Sequence, residues 1–245
     1  MTRFCILMVV AFVLIGGSAF AEHFGPIASP LRAGQSELSL GYSYGSSDWE
    51  TDVSSETLSL KQNAFYAQLG VGLGGRWGAY IRGGVADFYA DEAFRFSSDD
   101  ATDTFLPYGS FGLGGPLFHW GEVAVGPFLQ GSYYSTYEDV STIGTVREKV
   151  SLEKMWEANL GLAFQGEVEG AYLYGGPFYY LAEAEYRSVA TDGLVTDVAE
   201  IDLEKEGTVG GFIGIRWPLS HGFSVDLEAQ LKNSASIGAA IYFAF

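Results

Sequence analysis

Few side chains in this sequence have the chemistry that catalysis needs. The chain has three histidines, His23, His119 and His221, and a single cysteine, Cys5. Histidine can act as a general base or activate a nucleophile, and a thiol can form disulfides or attack a substrate. The sequence contains no zinc-ligand spacing, no phosphate-binding loop and no dinucleotide-binding glycine pattern. We therefore predict no cofactor and no resident metal.

Carboxylates are the most abundant reactive groups. The chain has 30 Asp and Glu against 13 Lys and Arg, for a formal net charge of -17. This balance repels phosphate backbones, so we predict no nucleic-acid partner. Acids concentrate in three polar segments, around 48–56, 91–103 and 192–206. We expect them mainly to solvate loops, with divalent cations or basic molecules as candidate partners.

Residues 1–21 have the three parts of a secretory signal peptide. Arg3 gives a positive start, an apolar run extends from Cys5 to Ile15, and the segment ends in the small-x-small pattern Ala19-Phe20-Ala21. The apolar run is shorter than the roughly 20 residues that a spanning helix requires. We predict cleavage after Ala21, which exports the chain and removes its only cysteine, and with it any disulfide.

Beyond residue 21 the apolar residues alternate with polar ones. From Phe223 to Lys232 every second residue is apolar and each intervening one is polar, the period of a β-strand with one apolar and one wet face. Ten segments of this kind lie near 36–46, 58–73, 77–88, 104–114, 121–135, 151–165, 171–187, 206–217, 223–232 and 235–245. The pattern predicts an all-β fold of about ten strands, with eight as the alternative count.

The connections between these segments alternate in length. Long polar ones lie near 47–57, 89–103, 136–150 and 188–205, and short turns near 74–76, 115–120, 166–170 and 218–222. This is typical of an antiparallel up-and-down β-barrel that crosses a membrane, where closure leaves no unpaired backbone edge in hydrocarbon. We predict a barrel over residues 35–245, preceded by a short periplasmic segment, 22–34.

Aromatic residues and the end of the chain favour the membrane barrel over a secreted β-sandwich. Trp77, Trp120 and Trp217 lie at short turns, while Trp49, Trp156 and Tyr186 lie toward the long loops, as in two aromatic girdles. The last ten residues combine a glycine with alternating bulky apolar residues, namely Gly238, Ile241, Phe243 and Phe245. They resemble the C-terminal targeting signal of bacterial outer-membrane β-barrel proteins.

The sequence as a whole resembles that superfamily, in its small OmpA-type, OmpX-type and ten-stranded members. The resemblance implies a Gram-negative outer-membrane location, escort by periplasmic chaperones and insertion by the barrel assembly machinery. It also implies contact with outer-membrane lipids and lipopolysaccharide. Enzymes of the superfamily use a histidine near the outer rim or the outer lipid face. Here His23 lies in the N-terminal segment and His119 and His221 lie in short turns, so we predict that the protein is not an enzyme, with a lipid- or peptide-directed enzyme as an alternative.

Extending the alternation along each strand assigns charged residues, Glu37, Glu122 and Glu153 among them, to the lumen, and nine others form the candidate pore or salt-bridge network. They are Arg82, Glu157, Glu183, Glu185, Arg187, Arg216, Asp226, Glu228 and Lys232. In a narrow barrel opposite charges pair and fill the interior. We predict a structural or surface-interaction protein with a largely filled polar lumen. The alternative is a narrow, porin-like channel that prefers cations, because acids are in excess.

Overall fold

The structure is a computed structural model that describes residues 23–51, 54–97, 99–232 and 235–245. The predicted signal peptide lies outside these residues, as do the side chains of several acids of the first and last acidic segments. The first six strands are β1 (Ser36–Thr51), β2 (Ser54–Gly74), β3 (Trp77–Ala90), β4 (Ala101–Gly114), β5 (Phe118–Trp120) and β6 (Val123–Tyr134). The other six are β7 (Tyr137–Ile143), β8 (Val146–Val168), β9 (Ala171–Thr191), β10 (Thr196–Pro218), β11 (Phe223–Leu231) and β12 (Ala235–Ala244).

Ten of these strands close into one antiparallel ring. The order around it is β1, β2, β3, β4, β6, β8, β9, β10, β11 and β12, and β12 pairs back with β1 from Glu37↔Ala244 to Gly45↔Ser236. The short β5 pairs only with β6, and β7 continues β6 after a break and pairs with β8. The predicted ten-stranded antiparallel barrel is confirmed.

The outer face of the ring carries a continuous apolar belt. On β2, for example, Phe65, Leu69 and Leu73 point outward and are about half exposed. On β2 the belt extends over residues 65–73, about the length that a tilted strand needs to cross a bilayer. No helix among the described residues is long and apolar enough to span a membrane.

Above the belt, at the end with the long hairpins, the two faces of the strands exchange polarity. On β9 the outward residues change from Leu181 to Glu183, and the inward ones become Ala184 and Tyr186. Strands that continue into water put their apolar face inward, like those of a soluble protein. A hydrophobic core consequently fills the outer end of the barrel, with Trp49, Leu60, Phe88, Phe94, Tyr137, Leu152, Met155 and Leu203 among its members.

Two sequence-based expectations change as a result. Three of the four predicted long loops are hairpins whose strands rise beyond the belt. Among the described residues, only 91–97 and 99–100 form an extended irregular connection. Trp49 and Tyr186 are buried in the outer core instead of facing the membrane in a girdle. At the short-turn end, Trp120 and Trp217 are exposed on the surface as expected.

The segment before β1 enters the barrel. His23, Ile27, Ala28 and Leu31 are buried, and the segment leaves the lumen at the short-turn end, where the Ser29 N–H donates to the Arg76 carbonyl at 3.0 Å. The expectation of a periplasmic segment at 22–34 is therefore wrong for residues 23–31, which lie in the lumen. Strand periodicity could not reveal this, because these residues form no strand and bury apolar side chains in irregular backbone.

Candidate functional site: the barrel lumen

Six of the nine predicted lumen residues point inward and are buried. Four of them lie around the N-terminal segment, and the other two pair with each other away from it. They are Arg82, Glu157, Arg216, Asp226, Glu228 and Lys232.

Glu183, Glu185 and Arg187 point outward, so their assignment to the lumen is wrong. The Trp156 Nε1–H donates to Glu183 at 3.1 Å, and Lys154 Nζ lies 2.6 Å from a Glu185 oxygen, both on the outer surface. These residues lie above the apolar belt, where the polarity of the two faces has reversed. The expected alternation occurs on this part of β9, but the residues expected to point inward point outward, and the reverse.

A β-bulge in β8 changes which residues of that strand point inward. The pairing of β8 with β9 shifts between Glu153 and Trp156, and Lys154 has a positive φ of 52°. One extra residue reverses which positions face the interior. Glu148 and Leu152 point inward before the bulge, and Glu157 points inward after it.

His23 lies at the centre of the lumen between three strands. Its Nε2 is 3.1 Å from Asp226 Oδ1, and its Nδ1 is 3.0 Å from the Tyr66 hydroxyl. Asp226 also accepts a hydrogen bond from Tyr174 and binds Arg216 Nε at 2.7 Å. Asp226 thus joins the N-terminal segment to the wall of the barrel.

The backbone of the N-terminal segment is hydrogen-bonded by side chains of the wall. Glu228 accepts the Phe24 N–H at 2.9 Å and the Gly25 N–H at 2.8 Å, one on each carboxylate oxygen. Gln165 accepts the Ala28 N–H at 2.8 Å, and Arg82 donates to the His23 carbonyl at 2.7 Å. Buried backbone groups require such partners when no secondary structure supplies them.

Phe24 is enclosed by three other phenylalanines. Its ring centroid lies 4.7 Å from that of Phe128, 5.0 Å from Phe178 and 5.1 Å from Phe212, in tilted and edge-to-face arrangements that favour aromatic packing. A cavity of about 70 Å³ remains between the segment and the wall, with Glu37, Tyr80 and Arg216 among its lining residues. This space holds water but not a sugar or an amino acid.

Glu157 and Lys232 form a second buried pair, away from the segment. Glu157 accepts a hydrogen bond from Lys232, and the lysine ammonium lies 5.0 Å from the centre of the Tyr180 ring. Both side chains are almost wholly buried. The opposite charges of Glu157 and Lys232 are therefore matched inside the lumen.

The irregular segment 91–100 folds into the outer mouth of the barrel. The buried Glu148 carboxylate accepts the Arg95 N–H at 3.1 Å and the Phe96 N–H at 3.2 Å, and Phe94 enters the outer core. Tyr186 donates to the Ala93 carbonyl, and burial raises the pKa of its hydroxyl to about 12. The lumen is covered at this end too.

Two aspartates connect β4 and β7 where the strands do not pair through their backbones. Asp139 accepts the Thr102 N–H at 2.7 Å, and Asp103 accepts the Glu138 N–H at 2.9 Å. Other rim acids bind Lys61 and Arg95. No group of three or more side chains placed to hold a metal occurs among the described residues. Divalent cations at the acidic loops stay a prediction.

Three of the predicted targeting residues lie on β12, which closes the ring, and Phe245 follows it directly. Ile241, Phe243 and Phe245 point outward into the belt, whereas Gly238 points inward beside His23. The backbone of Phe245 exchanges two hydrogen bonds with Ser36. Their role as an assembly signal stays a prediction. His119 and His221 are exposed at the short-turn end, as expected.

No protein-family model matches this chain, and no curated protein matches it. Solved structures of similar fold are bacterial outer-membrane barrels. The outer membrane protease OmpT from Escherichia coli is 11% identical, with 86% of this chain and 96% of that chain covered and a TM-score of 0.52. The translocator domain of the autotransporter NalP from Neisseria meningitidis is 12% identical, with coverage of 100% and 94% and a TM-score of 0.49.

At such identities the likeness concerns the fold alone. The chain has the fold of bacterial outer-membrane β-barrels, and its exposed apolar belt agrees with the outer-membrane location expected from the sequence.

Proposed function

We propose that this protein is a sealed outer-membrane barrel with a structural or surface-interaction role, and neither a channel nor an enzyme. The observation that carries the proposal is the capture of residues 23–31 inside the lumen by Glu228, Asp226 and the phenylalanines around Phe24. A conducting barrel needs a continuous polar path, and this segment occupies the place of that path.

A second seal lies at the opposite end. The outer core is apolar and closely packed, and Glu148 holds residues 95 and 96 across the mouth. An ion that enters such a core loses its hydration without gaining ligands. Removing one seal would thus leave the other in place.

The absence of enzymatic activity is part of the proposal. His23 contacts acids and tyrosines, as a catalytic histidine does, but its side chain is fully buried under the segment that carries it. A substrate could reach it only after the segment had left the lumen, and the histidine would leave with the segment. In the membrane we expect the belt to contact outer-membrane lipids and lipopolysaccharide, after delivery by periplasmic chaperones and the barrel assembly machinery.

A narrow cation-preferring channel is the second candidate. Buried carboxylates in the lumen, Glu37, Glu157, Asp226 and Glu228, outnumber the buried cations Arg82, Arg216 and Lys232. If the N-terminal segment moved aside, this excess would favour cations over anions. The channel differs from the sealed barrel only in whether the segment and the outer core open under working conditions.

Planar-bilayer recording on the refolded protein distinguishes the two. The sealed barrel predicts no unit currents from the wild type or from a variant without residues 23–31. It predicts steady currents only when residues 92–99 are removed and the outer core is opened by Tyr137→Ser and Leu152→Ser as well. The matched control keeps the segment and lacks residues 92–99 alone. Stable cation-selective currents from the wild type would overturn the proposal and support the channel.

A further inference from the structure

The outer part of β10 is an open sheet edge. β10 pairs with β9 from Thr196 onward, and its other edge meets β1 only at Leu203 and the next residue, because β1 ends at Thr51. Among the described residues, Thr196–Ile201 therefore have a partner strand on one side only. Strands with an unpaired edge bind extended chains by adding them as a further strand.

The hairpin turn fixes which backbone groups face the open side. The Asp192 N–H donates to the Val195 carbonyl at 3.0 Å, so this pair is of the hydrogen-bonded type. Hydrogen-bonded and non-bonded pairs alternate along an antiparallel ladder. The N–H and C=O groups of Val198 and Glu200 consequently point away from β9, toward the open edge.

This stretch has neither a proline nor a bulge that would block its edge. It contains no proline, and the irregularity in β10 begins only after Lys205. The side chains of Thr196, Val198 and Glu200 are exposed, and Val198 is 49% exposed. Edge strands are commonly blocked by a bulge, a proline or an inward charge, and the charges here are all of one sign.

The negative charge of this edge determines which kind of partner it can bind. Asp197 and Glu200 lie within this edge and Asp202 follows it directly, and Arg95 lies 3.3 Å from Asp197. Pairing with the same edge of a second copy would bring acids together, and like charges opposite each other destabilise a sheet. We propose that the open edge of β10 binds an extended cationic peptide by strand addition, which gives the proposed surface-interaction role a specific site and partner class.

A lysine–valine peptide tests the proposal. An acetylated, amidated and fluorescently labelled heptapeptide of alternating lysine and valine is titrated with the refolded wild-type protein, and binding is followed by fluorescence anisotropy. One comparison peptide replaces each valine by proline, which keeps the charge but cannot form a strand. Another replaces each lysine by glutamate. We expect the lysine–valine peptide to bind at least about tenfold more tightly than either, since only it offers both backbone bonds and opposite charge.

Protein variants locate the site. Val198→Pro removes one N–H from the open edge and leaves the β9 ladder intact, and we expect it to weaken binding about tenfold. Glu200→Lys should weaken it similarly. Glu169→Lys makes the same change in net charge at an exposed turn at the other end of the barrel and should have little effect.

The comparison of peptides is decisive by itself if a variant does not fold. Equal binding of the lysine–proline and lysine–valine peptides would show attraction by charge alone and overturn strand addition, and so would equal losses from Glu200→Lys and Glu169→Lys. Dimers of the protein that form without peptide would point instead to pairing between copies and would also overturn it. Bilayer conductance tests the sealed barrel separately, so failure of one proposal does not imply failure of the other.

Discussion

Asp226 of β11 lies 3.1 Å from the imidazole of His23, so a strand of the wall is tied directly to the segment that fills the barrel. The other oxygen of the same carboxylate binds Arg216 at 2.7 Å, which fixes its orientation. The contact joins residues more than two hundred positions apart in the chain.

Replacing Glu228 by Gln should loosen the N-terminal segment. The amide can accept one hydrogen bond where the carboxylate accepts two charge-assisted ones, from Phe24 and Gly25. We expect a loss of about 1.5–3 kcal/mol in the local stability of the segment. Hydrogen exchange of these two backbone amides measures it. Glu167→Gln, at an exposed position, is the control, and unchanged protection in Glu228→Gln would contradict the structure.

Phe24→Ala should remove the centre of the aromatic cluster. The lost packing against Phe128, Phe178 and Phe212 should lower the free energy of unfolding by at most about 3–5 kcal/mol. The measured effect will be smaller if the segment detaches before the barrel unfolds. Urea unfolding in phospholipid vesicles, followed by tryptophan fluorescence, gives the value. Leu194→Ala, at a side chain that is 98% exposed, should leave it unchanged.

The Glu157–Lys232 pair should behave as a buried ion pair. Removing the charge of one partner by Glu157→Leu or Lys232→Met leaves the other buried alone, which costs about 3–5 kcal/mol. The double variant should regain most of that loss, since it leaves no uncompensated charge. Unfolding midpoints of the four proteins form the cycle, and losses that simply add would show that the pair is not coupled.

The segment 91–100 covers the outer mouth of the barrel and is called the cap here. Asp100 should make the stability of this cap sensitive to acid. The hydrogen bond from Tyr89, with help from the Glu92 N–H, holds the pKa of Asp100 below its usual 3.8. A lowered pKa means that the stabilisation is complete above about pH 4 and is lost as the pH falls through the folded-state value. Cleavage by pepsin near Phe96, corrected with an unstructured peptide, should accelerate in that window.

An Asp100→Asn variant gives the reference for this titration. Its side chain cannot ionise. Its corrected cleavage rate should therefore exceed that of the wild type between pH 4 and 5, and should be nearly independent of pH below 5. A wild-type rate that is equally flat would argue against a role for Asp100 in holding the cap.

Outward and inward acids should differ in their effect on conduction. In a variant that conducts because both seals have been removed, Glu157→Gln should reduce cation preference, since that residue points into the lumen. Glu183→Gln and Glu185→Gln should not, because both side chains lie outside the barrel. Reversal potentials in a salt gradient measure the difference, and the reverse order would show that β9 faces the other way.

The sequence by itself determined the strands and their closure into a ring. Period-two alternation on strands such as β11 places apolar residues on one face, and in hydrocarbon that face must belong to a closed sheet. The alternation was sufficient because the physical requirement is local and repeats along every strand that crosses the belt.

Tertiary structure alone decided what fills the barrel and which way some charges point. Glu183 and Glu185 alternate with small residues just as lumen residues do, but their height above the belt, which only the assembled ring defines, turns them outward. The bulge after Glu153 shifts the pattern by one residue without a clear sequence signal. His23 and Phe24 acquire their roles from strands far away in the chain, because irregular segments are positioned by contacts and not by periodicity.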